Sequence, residues 1–197
     1  MFVRRFVLAL CFVLAASSAL AQGVTGKLVF DVKAFTSEID LRPKIEQQLK
    51  SGGLEWGVVS NQLVVTLVNK RFIGADIPNL TRYGDRKELD LPPGEYTLTC
   101  VGLIPEGGLS VEKVLDKGAY FNLDVLRFTI AAGKTTVLEV YPVIRKHNTF
   151  FLKFFIPEIE VKVIADGTPA GDGVINTRGD SSVPWTEYNG PLKFKAR

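Results

Sequence analysis

Apolar and polar residues alternate along most of the chain, which is the pattern of β-strands with one buried face. In residues 27–34, Leu28, Phe30 and Val32 alternate with charged side chains. The same signals recur further along, in residues 62–69, 87–91, 95–103, 123–131, 135–143, 149–156 and 158–165. We therefore predict a mainly β fold.

Two stretches have helical rather than alternating periodicity. In residues 40–51, Leu41, Ile45 and Leu49 recur every four positions, and a Gly-Gly pair follows, so the pattern predicts a short amphipathic helix. Residues 110–117 indicate a second short helix between strands.

Turn residues separate most of the predicted strands. Residues 92–94 (Pro-Pro-Gly) and 132–134 (Ala-Gly-Lys) have the composition of tight reversals between neighbouring strands. In such turns proline fixes φ and glycine allows a positive φ. Many short strands joined in this way predict an antiparallel β-sandwich or barrel, which we place in residues 22–165. Residues 166–197 are rich in glycine and proline and are predicted to be a loop-rich C-terminal segment.

The N-terminus has the three parts of an export signal. Arg4 and Arg5 precede an apolar run, and Ala19-Leu20-Ala21 fits a cleavage site before Gln22. The run is too short to span a bilayer. We predict that residues 1–21 are removed, that no transmembrane segment remains, and that the protein is secreted or periplasmic.

Charge excludes one class of partner. The formal net charge is +3, but Arg4 and Arg5 leave with the signal, so the exported chain is close to neutral. A protein that binds nucleic acid usually carries a strongly basic surface. We therefore expect no nucleic-acid partner.

Two motifs resemble a known family of domains. Residues 89–99 (LDLPPGEYTLT) and 128–138 (FTIAAGKTTVL) are similar to the second half of transthyretin-like modules, the carboxypeptidase regulatory-like and collagen-adhesin B-type domains. The resemblance covers about residues 60–143. It implies that Gly94 and Gly133 make turns and that Tyr96 and Leu98 enter the core of a transthyretin-like or immunoglobulin-like sandwich. It implies no catalytic residue.

Residues that could carry chemistry are few. His147 is the single histidine and lies in a polar stretch without a nucleophile elbow, and Cys100 is the one cysteine left after signal removal. One histidine and one cysteine cannot supply a usual zinc site, so we predict no metal, no cofactor and no catalytic residue. Glu158 and Glu160 lie two positions apart on one face of a predicted strand, where paired carboxylates could hydrolyse a glycosidic bond.

The C-terminal segment offers the predicted recognition residues. Trp185 and Tyr188 could anchor a partner or pin the segment to the sandwich, and Arg178 and Asp180 belong to an Arg-Gly-Asp sequence in a glycine-rich loop. Whether oxygen ligands between Asp166 and Asp180 bind calcium stays open.

Two functions compete at this point. The first is an exported, non-catalytic protein that binds, adheres to or scaffolds another protein or an envelope polymer. The alternative is a hydrolase of an envelope polymer that uses Glu158 and Glu160 as acid and base.

Overall fold

The computed structural model describes residues 23–66, 78–103, 119–148, 153–176 and 182–184. The strands and the helix are, in chain order, β1 (Gly26–Val32), β2 (Thr36–Ser37), α1 (Pro43–Lys50), β3 (Gly53–Val59), β4 (Gln62–Thr66), β5 (Asn79–Arg82), β6 (Arg86–Leu91), β7 (Gly94–Leu103), β8 (Ala119–Ile130), β9 (Thr135–Asn148), β10 (Lys153–Ala165), β11 (Thr168–Asn176) and β12 (Ser182–Pro184). The predicted mainly β fold is confirmed.

The strands form two six-stranded sheets within these residues. The first sheet has the order β11-β10-β9-β1-β6, and β2 continues alongside β9. The second sheet has the order β12-β8-β7-β4-β3-β5. The inward-facing residues of both sheets join one hydrophobic core, as in a β-sandwich.

Both sheets are mixed, which corrects the prediction of an antiparallel sandwich. β1 and β2 run parallel to β9, and β4 runs parallel to β7. The reason lies in the two predicted reversals. Each of them connects strands of different sheets, from β6 to β7 and from β8 to β9, so the two strands that flank each reversal do not pair with each other.

The two turn glycines differ in conformation. Gly133 has a φ of +66°, the left-handed conformation that its turn predicts. Gly94 is not among the residues with positive φ, so its turn does not use the conformational freedom that glycine allows there. An added Cβ at Gly94 would meet the amide nitrogen of Asn61 at 3.4 Å, which an adjustable side chain can accommodate.

A pair of aromatic rings joins the sheets at the centre of the core. Phe30 of β1 stacks on Trp56 of β3 with 4.5 Å between ring centroids, and both side chains are fully buried. The indole N–H of Trp56 donates to the hydroxyl oxygen of Thr81 at 2.9 Å, so the buried polar group is satisfied. The alternation in β1 is thus explained by packing against the opposite sheet.

β10 is a single strand where the sequence indicates two. Pro157 separates the two predicted segments, but in the structure it lies opposite Ile144 of β9 within one continuous pairing. Pairing of β10 with β11 begins at the next residue, Glu158. A proline is tolerated where a strand lacks a neighbour that needs its N–H.

The start of the segment predicted to be loop-rich is the strand β11. Glycine is required there because β11 approaches β8 closely: an added Cβ at Gly173 would lie 2.9 Å from the carbonyl oxygen of Val125. The glycine content thus reflects close sheet packing rather than a loop. The rest of the predicted segment lies outside the described residues, apart from β12.

Helix α1 lies within the window predicted to be helical. Its Glu46 and Lys50 form an ion pair at 2.6 Å, one helical turn apart. The second predicted helix, residues 110–117, lies outside the described residues. No helix in the described ranges is long and apolar enough to cross a membrane.

Candidate functional site

A groove of about 640 Å³ lies where the two sheets end side by side. β5 is the last strand of the second sheet, β6 is the last strand of the first, and residues 83–85 connect them. Its volume is in the range of ligand-binding sites. The groove is lined by Asp31, Leu80, Thr81, Arg82, Gly84, Asp85, Arg86 and Lys87.

The local sequence explains how these side chains are positioned. In β5, Asn79 and Thr81 are buried, while the alternate residues Leu80 and Arg82 are exposed. Gly84 has a φ of +90° in the turn that follows, and its N–H donates to the carbonyl oxygen of Val32 at 2.9 Å. The turn therefore holds the start of β6 beside β5.

The groove is lined by more basic than acidic side chains. Arg82, Arg86 and Lys87 are exposed, and none of them forms an ion pair within the described part of the chain. Of the two lining carboxylates, Asp31 already binds Lys33 at 2.8 Å. Basic side chains thus predominate among the charges available to a ligand.

The outer face of the first sheet, by contrast, is occupied by paired charges. Lys33 bridges Asp31 and Glu139, at 2.8 Å and 3.0 Å, and the hydroxyl of Tyr141 donates to Glu139 at 2.7 Å. The Lys162 ammonium lies 5.1 Å from the centre of the Tyr141 ring. The hydrogen bonds to Asp31 and then Glu139 raise the pKa of Lys33 to about 12.

Glu139 should make the stability of the protein depend on pH. The hydrogen bond from Tyr141, and then that from Lys33, lowers the pKa of Glu139 below 4.5. The carboxylate therefore stabilises the fold above about pH 4.5, and this contribution is lost as the pH falls through the lower pKa of the folded state. We expect Glu139→Gln to destabilise by on the order of 0.5–1 kcal/mol at pH 7 and by less at pH 3.5. Denaturant unfolding at both pH values tests this, and an equal loss at the two would contradict it.

The predicted acid pair is bound by an arginine. Glu158 and Glu160 both contact the guanidinium of Arg145, which also binds Glu38. The Arg145 Nε lies 3.6 Å from Glu158 Oε2, and the Glu158 side chain is only 11% exposed. The bond to Glu38 is the main cause that raises the pKa of Arg145. Both carboxylates thus have a structural partner that competes with a substrate for their oxygens.

The two other candidate groups are placed differently. Cys100 is a buried free cysteine, and burial raises the pKa of its thiol, so it is a core residue rather than a nucleophile. His147 belongs to β9, opposite Phe154, and not to a connection as its polar neighbours indicate. The side chain of His147 lies outside the described residues.

The predicted recognition residues belong to the C-terminal segment. Trp185, Tyr188, Arg178 and Asp180 all lie outside the described residues.

The possible calcium ligands between Asp166 and Asp180 that are described belong to the turn before β11 and to β11 itself. Asp166 is in the turn before β11, where its carboxylate binds Lys134 at 2.6 Å, and Asn176 ends that nine-residue strand. Among the described residues, no three side chains of histidine, cysteine, aspartate or glutamate are grouped to hold a metal ion.

The groove was missed in the sequence because the net charge of the chain is small. A local signal exists: Arg82, Arg86 and Lys87 surround Gly84 within six positions. Such a basic cluster around a turn glycine, between two short strands, indicates a local positive surface.

Comparison of the chain with protein-family models, with curated proteins and with solved structures found no match.

Proposed function

We propose that this protein is an exported, non-catalytic β-sandwich protein that binds or scaffolds another component of the cell envelope. The observation that carries the proposal is the groove at the outer strands of both sheets, with its Arg82, Arg86 and Lys87, none of which forms an ion pair with a described residue. Recognition residues commonly lie on loops and edges held by a rigid sheet. The transthyretin-like resemblance of about residues 60–143 supports an accessory module of this kind.

The competing function is hydrolysis of an envelope polymer by Glu158 and Glu160. Acid–base catalysis needs carboxylate oxygens that can approach the scissile bond. The contacts of both glutamates with Arg145 weigh against this role and favour a structural one. We therefore propose that the pair stabilises the sheet surface.

Incubation of the exported protein with purified cell-wall polymer separates the two functions. We expect the protein to sediment with the polymer and to release no soluble fragments. Glu158→Gln with Glu160→Gln should leave sedimentation unchanged. Release of fragments by the native protein that the double variant abolishes would establish the hydrolase instead, and failure to sediment would contradict binding to that polymer.

Export by a cleavable signal leaves a processed N-terminus. Because Ala19-Leu20-Ala21 fits the cleavage rule, the exported protein should begin at Gln22. The intact mass of protein recovered from the medium or the periplasm tests this. An uncleaved or lipid-modified N-terminus would contradict the proposed location and processing.

A further inference from the structure

We propose that the groove binds an extended acidic peptide, which adds as a strand to the free edge of β6. This inference rests on the proposed binding function and specifies its ligand. Strand addition combines backbone hydrogen bonds, which provide affinity, with side-chain contacts, which provide specificity. Both components are present at this edge.

The hydrogen bonds of β1 show which of its backbone groups face β6. Lys27 and Lys33 donate their N–H groups to β9, to the carbonyl oxygens of Lys134 at 2.9 Å and of Val140 at 2.8 Å. Val32 instead donates to the carbonyl oxygen of Asp85 at 2.9 Å. Successive N–H groups of a strand point to opposite sides. The even-numbered residues of β1 therefore bond toward β6.

The pairing register shows which residues of β6 direct their backbone groups toward β1. Leu28 is opposite Leu89, and Phe30 is opposite Lys87, so Lys87 and Leu89 direct their backbone groups to β1. The N–H and C=O groups of Arg86, Glu88 and Asp90 then point away from the sheet. No strand of the described ranges pairs with that side of β6. It is a free edge of three residues with alternating donors and acceptors.

The side chains beside this edge select the charge of the added strand. Lys87 is paired directly opposite the buried Phe30, and side chains of directly opposite residues lie on the same face of a sheet. Lys87 is therefore on the inner face, where it lines the groove. A charged residue that points inward at a sheet edge opposes pairing with an apolar strand. It complements an acidic strand, as does Arg82 of β5, which also lines the groove. Leu80, which is 53% exposed, provides an apolar contact between these charges. Arg86 is opposite Asp31 in the register, so it lies on the outer face of β6 with Asp90 and with Glu88, which Lys27 neutralises at 2.7 Å.

Fluorescence anisotropy with a labelled peptide of alternating glutamate and threonine tests the charge preference. We expect binding that weakens with salt, and at least about tenfold weaker binding to the double variant Arg82→Glu with Lys87→Glu. The matched control is Lys44→Glu, which reverses an exposed charge on α1, away from the groove. Both proteins should keep the melting temperature of the parent within a few degrees. Equal binding to parent and double variant, or equal binding of a lysine–threonine peptide, would overturn the proposal.

Amide hydrogen exchange tests strand addition separately from charge. In the free protein the amides of Arg86, Glu88 and Asp90 should exchange fast, while those of Lys87 and Leu89 are protected by pairing with β1. The glutamate–threonine peptide should slow the first set. A glutamate–threonine peptide methylated on every backbone nitrogen has the same charge, but it lacks all the backbone donors and its methyl groups block strand pairing on either side, so it should not slow that set. Binding without any change in exchange would show charge attraction alone and contradict strand addition.

The two proposals fail in different ways. Cell-wall sedimentation without peptide binding would leave the envelope function standing and remove the peptide ligand. Peptide binding together with polymer release that depends on Glu158 and Glu160 would keep the groove and overturn the non-catalytic function.

Discussion

Trp56→Ala is expected to lower the free energy of unfolding by about 3–5 kcal/mol, because it leaves a cavity between the two sheets. The indole is fully buried and stacks on Phe30 at 4.5 Å, so its removal takes away an aromatic contact between the two sheets. The substitution also leaves the buried Thr81 hydroxyl without its donor at 2.9 Å. Urea unfolding followed by circular dichroism measures the loss.

Trp56→Phe is the matched control for this result. It keeps an aromatic ring beside Phe30 but removes the N–H that Thr81 accepts, so we expect a loss smaller than that of the alanine variant. If Trp56→Ala unfolds at the same urea concentration as the parent, the sheets do not pack through this contact. The described sandwich core would then be contradicted.

Tyr96→Ala is expected to have an effect of similar size, about 3–5 kcal/mol. The ring is buried and stacks on Phe128 with 5.8 Å between centroids. Its hydroxyl donates to the carbonyl oxygen of Pro92 at 2.8 Å. The side chain therefore fills the core of the second sheet and also fixes the crossing from β6 to β7.

Two companion variants separate these contributions. Tyr96→Phe removes the hydroxyl alone and should cost about 0.5–1.5 kcal/mol. Gly94→Ala should be nearly neutral, because Gly94 does not have positive φ and an added Cβ would meet the side-chain nitrogen of Asn61 at 3.4 Å and the Tyr96 ring at 4.0 Å, both ordinary contacts. Thermal melts that show Tyr96→Ala unchanged, or Gly94→Ala as damaging as Tyr96→Ala, would contradict this description of the turn.

Local pattern was sufficient to predict the strands but not their partners. The alternation around Leu28 and Phe30 depends only on one face being buried, so it appears directly in the sequence. Whether the chain at Gly94 or Gly133 turns within a sheet or crosses to the other depends on long-range packing. The same turn residues suit a hairpin within one sheet and a crossing between sheets. The sequence therefore does not indicate which strands pair in parallel.

The candidate site was harder to predict because it is formed by positions that pair across the fold. Glu158 and Glu160 indicated an acid pair, and no spacing rule places Arg145 against both of them. β9 and β10 pair antiparallel, which brings that arginine beside the glutamates only after folding. Similarly, the groove forms because β5 and β6 are each the outermost strand of a sheet. No local sequence pattern indicates that strand order.

Nuclear magnetic resonance titration of the exported protein with the glutamate–threonine peptide tests the central claim most directly. Amide shifts report where the ligand contacts the protein, whatever its affinity. We expect the largest shifts at Leu80, Arg82 and residues 84–90, on both sides of the groove. Largest shifts around Arg145, Glu158 and Glu160, or shifts spread evenly over the surface, would contradict recognition at the free edge of β6.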